Sequence, residues 1–225
     1  TPEELRRTVD RAFRAGFQVA IHAIGDRACR LALDTIGVAL RRNHVPDHRS
    51  RIEHAQVVAP EDMPRFASLG VIASVQPSHA VSDMNMAEAR LGPQRIRGAY
   101  AWRKLIAAGA TLAAGSDFPV ETHDPLWGLY CAVTRQDRHG QPPGGWYPEE
   151  RMSMEEALRA FAVGAACASF QEKQRGVLAP GYWADLVVLD RDVVSLPPSE
   201  LLHAQVLATM VGGRVVFSRM AELPE

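Results

Sequence analysis

Short apolar runs alternate with amphipathic stretches through roughly the first 135 residues, and that alternation predicts the elements. Leu5, Val9, Ala12 and Phe13 recur at helical spacing. Thr1-Pro2-Glu3-Glu4 supplies an N-cap, a proline at the first helical position and a capping-box glutamate, and Gly16 suits the stop. The run 17–22 is nearly all apolar and β-compatible, which predicts a strand covered on both faces. It ends in His22-Ala23-Ile24-Gly25-Asp26, and helical periodicity then continues to about Asn43. The order recurs: a polar loop with Pro46 and Asp47, a strand at 51–55, a helix opened by Pro60 and closed by Gly70, and a strand at 71–76. A long stretch containing Pro and Met leads to a helix around 100–108, stopped by Gly109, and then to a strand at 111–115. That strand runs into Ser116-Asp117-Phe118-Pro119. Strands alternating with helices predict parallel β/α units. Four such units make either a small open sheet or half of an eight-stranded barrel.

Beyond Asp117 the pattern changes. The segment 136–148 is rich in Gly and Pro and predicts an exposed loop. Ser153-Met154-Glu155-Glu156 forms a second capping box, opening a helix that reaches about Ser169. From Gly176 onward the chain reads as β, with 184–189 buried and 206–211 and 214–217 flanking Gly212-Gly213, a two-residue hairpin signal. The chain is accordingly expected to divide into an α/β part at 1–175 and a small β part at 176–225.

Composition narrows the function classes. The 225 residues carry 25 basic and 26 acidic side chains, a net charge of −1 that gives no reason to expect nucleic acid or an anionic membrane as partner. Cys29, Cys131 and Cys167 are too few and too scattered for a disulfide framework or a thiolate zinc site, which predicts a reducing, cytoplasmic setting. No apolar run approaches the length of a membrane span and no signal peptide opens the chain. A chain that begins directly at a helix, with threonine first, is expected to be a piece of something longer.

In parallel α/β folds, catalytic groups collect at the C-terminal ends of strands. His22, His54, His79 and Asp117 lie at or just after four consecutive ends of this kind. Imidazole nitrogen and carboxylate are good zinc ligands, and a carboxylate can also accept a proton. Each residue also has a plainer reading: a hydrogen-bonded structural histidine in each case, and for Asp117 the cap of a following turn. Spacing alone leaves the two readings open.

Whole motifs are more specific. Val19-Ala20-Ile21-His22-Ala23-Ile24-Gly25-Asp26, Arg51-Ile52-Glu53-His54-Ala55, Ser74-Val75-Gln76-Pro77-Ser78-His79 and Gly115-Ser116-Asp117-Phe118-Pro119 occur in that order. The tail adds Gly176-Val177-Leu178-Ala179-Pro180-Gly181, Ala184-Asp185-Leu186-Val187-Val188-Leu189-Asp190 and Val211-Gly212-Gly213-Arg214-Val215-Val216. Together they resemble the amidohydrolase superfamily, in its family 3 branch of YtcJ-like proteins and N-substituted formamide deformylases. The resemblance implies the C-terminal half, strands five to eight, of a (β/α)₈ TIM-type barrel plus part of a small β-sandwich. It also implies that His22 and His54 are the metal-ligand histidines of strands five and six. Asp117 becomes the strand-eight aspartate that binds metal and shuttles a proton. His79 becomes a substrate-facing residue. The implied cofactor is zinc, one or two ions, or another divalent metal.

The superfamily opens its site with a His-x-His pair on the first strand, and this sequence contains none. Three functions therefore compete: a metal-dependent hydrolase of amide, formamide or related C–N bonds, a non-catalytic fragment, or one half of a split enzyme. A small-molecule substrate is expected, together with self-association or a missing N-terminal half. Asp26, one turn past His22, is a candidate to orient an imidazole or cap its helix. Glu53 should point away from His54 and reads as structural. His44 and His48 are four apart but separated by Pro46, which argues against a shared helical face. His123, His139 and His203 read as surface residues, and Arg95 and Arg97 as solvated cations.

Overall fold

The computed structural model describes residues 1–220, so 221–225 of the small β segment lie outside the described residues. Helix α1 (Pro2–Arg14) starts on the Thr1 capping box and buries Val9 and Phe13. Strand β1 (Ala20–Ala23) feeds helix α2 (Asp26–Arg42), and strand β2 (Arg51–His54) feeds helix α3 (Met63–Leu69). Gly70 stops α3 in the left-handed region, at φ +65°, which costs a residue without Cβ nothing. Strand β3 (Ile72–Val75), helix α4 (Pro77–Arg95), helix α5 (Trp102–Ala107) and strand β4 (Leu112–Ala114) follow. The four strands form one parallel sheet in the order β1-β2-β3-β4.

The register shows why the sheet holds. Ile21, Ile52, Ala73 and Leu112 stand side by side across it. Ile52 and Ala73 are fully buried, in one core with Leu33, Ile36, Phe66 and Leu105 of the helix layer. The other face is different. Ala20 pairs with Arg51 and His22 with Glu53, and Arg51 donates to Glu53 at 2.5 Å. Phe17 is exposed and, within β1, only Ala23 is buried. The expectation that 17–22 is covered on both faces is thus corrected: one face meets the helices and the other is largely open.

Two further elements depart from the sequence reading. The stretch after β3 is mostly helix, not irregular chain. Its buried contacts are small, Ala80, Val81 and Ala87, so no strong apolar stripe marks it, and Gly92 (φ +74°) breaks it just before Pro93. The loop 136–148 is anchored rather than simply exposed. Trp146 is buried, and Arg135, fully buried at the end of helix α6 (Pro125–Thr134), donates to the carbonyls of Trp146 and Tyr100.

Helix α7 (Met154–Arg159) starts on the Ser153 capping box and continues through a π-turn (Ala160–Gly164) into α8 (Ala165–Ala168). A Cβ on Gly164 would lie 2.0 Å from the Leu112 carbonyl oxygen, so only glycine lets this turn meet β4. Strands β5 (Leu186–Leu189), β6 (Val206–Val211) and β7 (Arg214–Ser218) form a separate antiparallel sheet. Gly212 and Gly213, at φ +57° and +78°, make its hairpin turn. The expected burial of 184–189 is not found: β5 is half-buried and Val187 is exposed. Among the described residues no helix is long and apolar enough to cross a membrane.

Candidate metal centre

The C-terminal ends of β1 to β4 gather the sequence-predicted site residues. His22 ends its strand exposed on the open face, and its ring meets the His54 ring edge-on, centroids 4.5 Å apart. Register alone would set His54 beside Ala23, on the helix side of the sheet, whereas Glu53 pairs with His22. What turns His54 toward His22 is its backbone. His54 sits at φ +74° and Ala55 at φ +42°, a left-handed pair of the sort that side chains adopt only at some cost. Asp117 is at φ +59°, in the turn that follows β4. Backbone strain thus falls on two of the sequence-predicted site residues.

His54 uses Nδ1 on the Gln76 side-chain oxygen at 2.9 Å, which leaves Nε2 free. Its ring lies nearly parallel to that of His79, centroids 5.7 Å apart. His79 sits in the first turn of α4, its amide donating to the Gln76 carbonyl. The His79 Nε2 atom is buried and has no hydrogen-bond partner among the described residues. Asp117 Oδ2 is 3.8 Å away, too far for a hydrogen bond. Burial, the largest cause, holds the His79 imidazole pKa below its ordinary value. Glu121 opposes this, His54 adds to it, and Asp117 and Asp83 oppose it. One ligand atom each from His54, His79 and Asp117 lie within 4.8 Å of one another, and His22 is not in that group.

The remaining candidates are engaged elsewhere. Both Asp26 oxygens are taken up by Arg95, at 2.7 and 3.1 Å, and one also accepts from the Arg27 amide. Its carboxylate therefore pins the start of α2 to the end of α4, and Arg95, its partner, holds its pKa low. Lys104 donates to the Arg97 carbonyl. His48 accepts from the Ser50 amide at Nδ1 and meets the Leu69 carbonyl at Nε2, a structural histidine. The His123 ring meets Phe118 edge-on.

Sequence reasoning did not single out the groups that hold the site from behind. Gln76 stands in a quoted motif, but only the fold aims its amide at His54. Asp83 accepts from Tyr100 Oη at 2.6 Å and from the Gln56 amide at 2.8 Å. Ser82 donates to Glu121 at 2.5 Å, tying α4 to the loop after β4. The helical spacing of His79, Ser82 and Asp83 was the available signal, hidden because α4 itself was not predicted.

A family model described as amidohydrolase family matches residues 1–217. The chain belongs to the amidohydrolase family. It is 40% identical over 220 residues to Protein LONG AFTER FAR-RED 3 of Arabidopsis thaliana, covering 96% of this chain and 37% of that protein. It is 32% identical over 210 residues to the N-substituted formamide deformylase of Arthrobacter pascens, covering 93% of this chain and 38% of that enzyme. Among solved structures, an uncharacterized metal-dependent hydrolase from Pyrococcus horikoshii OT3 superposes with a TM-score of 0.74 at 32% identity, covering 88% of this chain and 38% of that one. This amidohydrolase chain spans under two-fifths of the length of these relatives.

Proposed function

We propose that the chain is the C-terminal half of a metal-dependent hydrolase of C–N bonds, amide, formamide or related, acting on a small molecule. The sequential parallel order β1-β2-β3-β4, with one neighbour each for β1 and β4, supports reading the sheet as strands five to eight of a (β/α)₈ barrel. The observation that carries the functional reading is the convergence of imidazole and carboxylate groups at these strand ends. His22 lies edge-on to His54, and the Asp117 carboxylate carries no hydrogen bond among the described residues. A buried imidazole nitrogen without a partner, beside a free carboxylate, fits a cation. The nitrogen and oxygen donors suit zinc or a neighbouring divalent metal.

His22 and His54 would hold such an ion, with Asp117 completing their side of the site. The ion, when bound, supplies a Lewis acid that polarises the substrate carbonyl and makes water a competent nucleophile near neutral pH. Asp117 takes the proton of the attacking water and returns it to the leaving nitrogen. Gln76 fixes the tautomer and tilt of His54 through Nδ1. Phe118, exposed beside Asp117, supplies an apolar wall where the substrate enters. Further ligands come from the polypeptide that corresponds to the rest of the relatives' length.

The test is Asp117→Asn in a protein extended to that length and loaded with zinc. Turnover of an N-substituted formamide should fall by about 10²–10⁴-fold, the usual worth of a positioned acid–base group. Metal-dependent hydrolysis that survives Asp117→Asn, His22→Ala and His54→Ala alike would remove this reading.

A further inference from the structure

Segments 56–58 and 98–100 lie antiparallel to each other, bridged at Val57 and Ala99. The Tyr100 amide donates to the Gln56 carbonyl at 2.7 Å, and the Val58 amide to the Gly98 carbonyl at 2.9 Å. A Cβ on Gly98 would lie 2.2 Å from the Val58 carbonyl oxygen, so only glycine permits this approach. The first segment directly follows His54 and Ala55, the left-handed pair that turns the His54 ring toward His22. Such backbone persists only where its surroundings over-determine it.

Asp83 supplies that constraint. It stands one turn along α4 from His79. Its Oδ2 accepts from the Gln56 side-chain amide at 2.8 Å and from the Tyr100 hydroxyl at 2.6 Å. One oxygen atom thus ties α4 to the chain after His54 and to the chain before α5. Tyr100 is itself fixed. It is buried, at φ +51°, with its ring edge-on to Trp102 and Trp146 and its carbonyl accepting from Arg135 at 2.9 Å. The buried Arg135 guanidinium stands over both indoles, 4.6 and 5.1 Å from their centroids. Burial, the largest cause, and then the hydrogen bond to Asp83 push the Tyr100 hydroxyl pKa up, so the group stays a donor. His54 and His79 come from different β/α units, yet their rings face each other nearly parallel, centroids 5.7 Å apart.

We infer that, given the active site proposed above, Asp83 and Tyr100 are its positioning residues: their hydrogen bond clamps the turn after His54 against α4 and so sets the His54 and His79 rings toward the substrate. Neither residue touches the reacting atoms; each acts through the two histidines. Both donors reach the same carboxylate oxygen. Asp83→Asn keeps a carbonyl oxygen at that point and retains the clamp, whereas Asp83→Leu, of similar size, removes it. Tyr100→Phe deletes the hydroxyl and leaves the ring in its aromatic surroundings.

The experiment has two arms, nuclear magnetic resonance of the chain and steady-state kinetics of the zinc-loaded protein extended to the relatives' length. In the unmodified chain the His54 and His79 rings should give a nuclear Overhauser contact. Asp83→Leu and Tyr100→Phe should abolish it and speed hydrogen exchange of the Tyr100 amide at least about 10-fold, with amides of α2 unchanged. Asp83→Asn should keep both signals. In the extended protein the two clamp-breaking variants should lower kcat for an N-substituted formamide by about 10–100-fold, the usual effect of groups behind a catalytic histidine. KM should stay within about 3-fold, the pattern of an interaction felt only in the transition state. If Asp83→Leu does not fold, Tyr100→Phe, which removes a single oxygen atom, decides. A ring contact that survives loss of the clamp overturns the inference. So does a kcat that is unchanged when the contact is lost, or one that falls as far in Asp83→Asn as in Asp83→Leu. An extended protein without metal-dependent hydrolysis defeats the proposed function instead, and the ring contact and amide exchange then decide the clamp.

Discussion

The two sheets of this molecule spend their apolar residues in opposite ways. In the parallel sheet, Ile52, Ala73 and Val75 are buried against helices, and the polar residues stand at strand ends where they can meet a ligand. In the antiparallel sheet, Val187, Val215, Val216 and Phe217 are exposed, and every residue of β7 is open. Beside β5 lies a cavity of about 580 Å³ whose walls include Leu158, Phe161, Val177, Leu178 and Leu186. A sealed face gives fixed side-chain directions, which a catalytic centre needs. An apolar face left in water gives no such precision, and contiguous patches of this kind generally mark a contact surface. Rigidity, and hence chemistry, should therefore be concentrated in the parallel sheet.

The sharpest way to break that contrast is to truncate one side chain on each side. Phe66 is 0% exposed and Val216 is 60% exposed. Phe66→Ala should cost about 3–5 kcal/mol of folding stability, the range for deleting a buried aromatic ring. Val216→Ala should stay within about 0.5 kcal/mol. Urea unfolding of both variants checks this, and comparable losses would mean that β7 is covered in solution. Glycines sharpen the comparison. Gly164→Ala would force a methyl group toward the Leu112 carbonyl and should cost about 3 kcal/mol, the upper part of the overpacking range. Gly212→Ala meets open space and pays only for its left-handed backbone, about 1 kcal/mol.

The contrast also explains what was legible in the sequence. Three of the four parallel strands were readable as short apolar runs that follow helix stops at Gly16, Gly70 and Gly109, whose positive φ only glycine adopts freely, whereas β2, with Arg51, Glu53 and His54, was readable from its place between two helices. Both capping boxes and the Gly212-Gly213 hairpin were readable for the same reason: local chemistry fixes them. Burial was less legible. An apolar run such as 17–22 or 184–189 looks the same whether its second face is covered or open. Helix α4 was missed because alanine and valine, not leucine, make its contacts. The site was legible as residue types, through His22, His54, His79 and Asp117, but not as geometry. The turn of His54 depends on its φ of +74°, which no spacing reveals, and the burial of His79 Nε2 depends on the unpredicted helix.

The smallest effect tests how the C-terminal helix is fastened to the parallel sheet. Arg49, just before β2, donates to both oxygens of Glu172, at 2.5 and 2.9 Å, and to the Cys167 carbonyl at the end of α8. Those hydrogen bonds from Arg49 hold the Glu172 carboxyl down at about 2. A carboxyl whose folded pKa is lowered binds fewer protons in the folded state than in the unfolded chain. Its contribution is therefore fully present above the ordinary carboxylate range and is lost as pH falls toward about 2. Melting temperatures measured from pH 6 downward should consequently drop less for Glu172→Gln than for the unmodified chain, because the amide has no charge to lose. The pair is only partly buried, so water and salt still screen it, and the gap between the two curves should be small and should narrow as salt is added. Parallel curves at every salt concentration would mean that the Glu172 charge adds nothing and that Arg49 holds α8 through the Cys167 carbonyl. The cation–π contact of Arg49 with Phe170, 4.5 Å from the ring centroid, would then be its only other hold on this end of the helix.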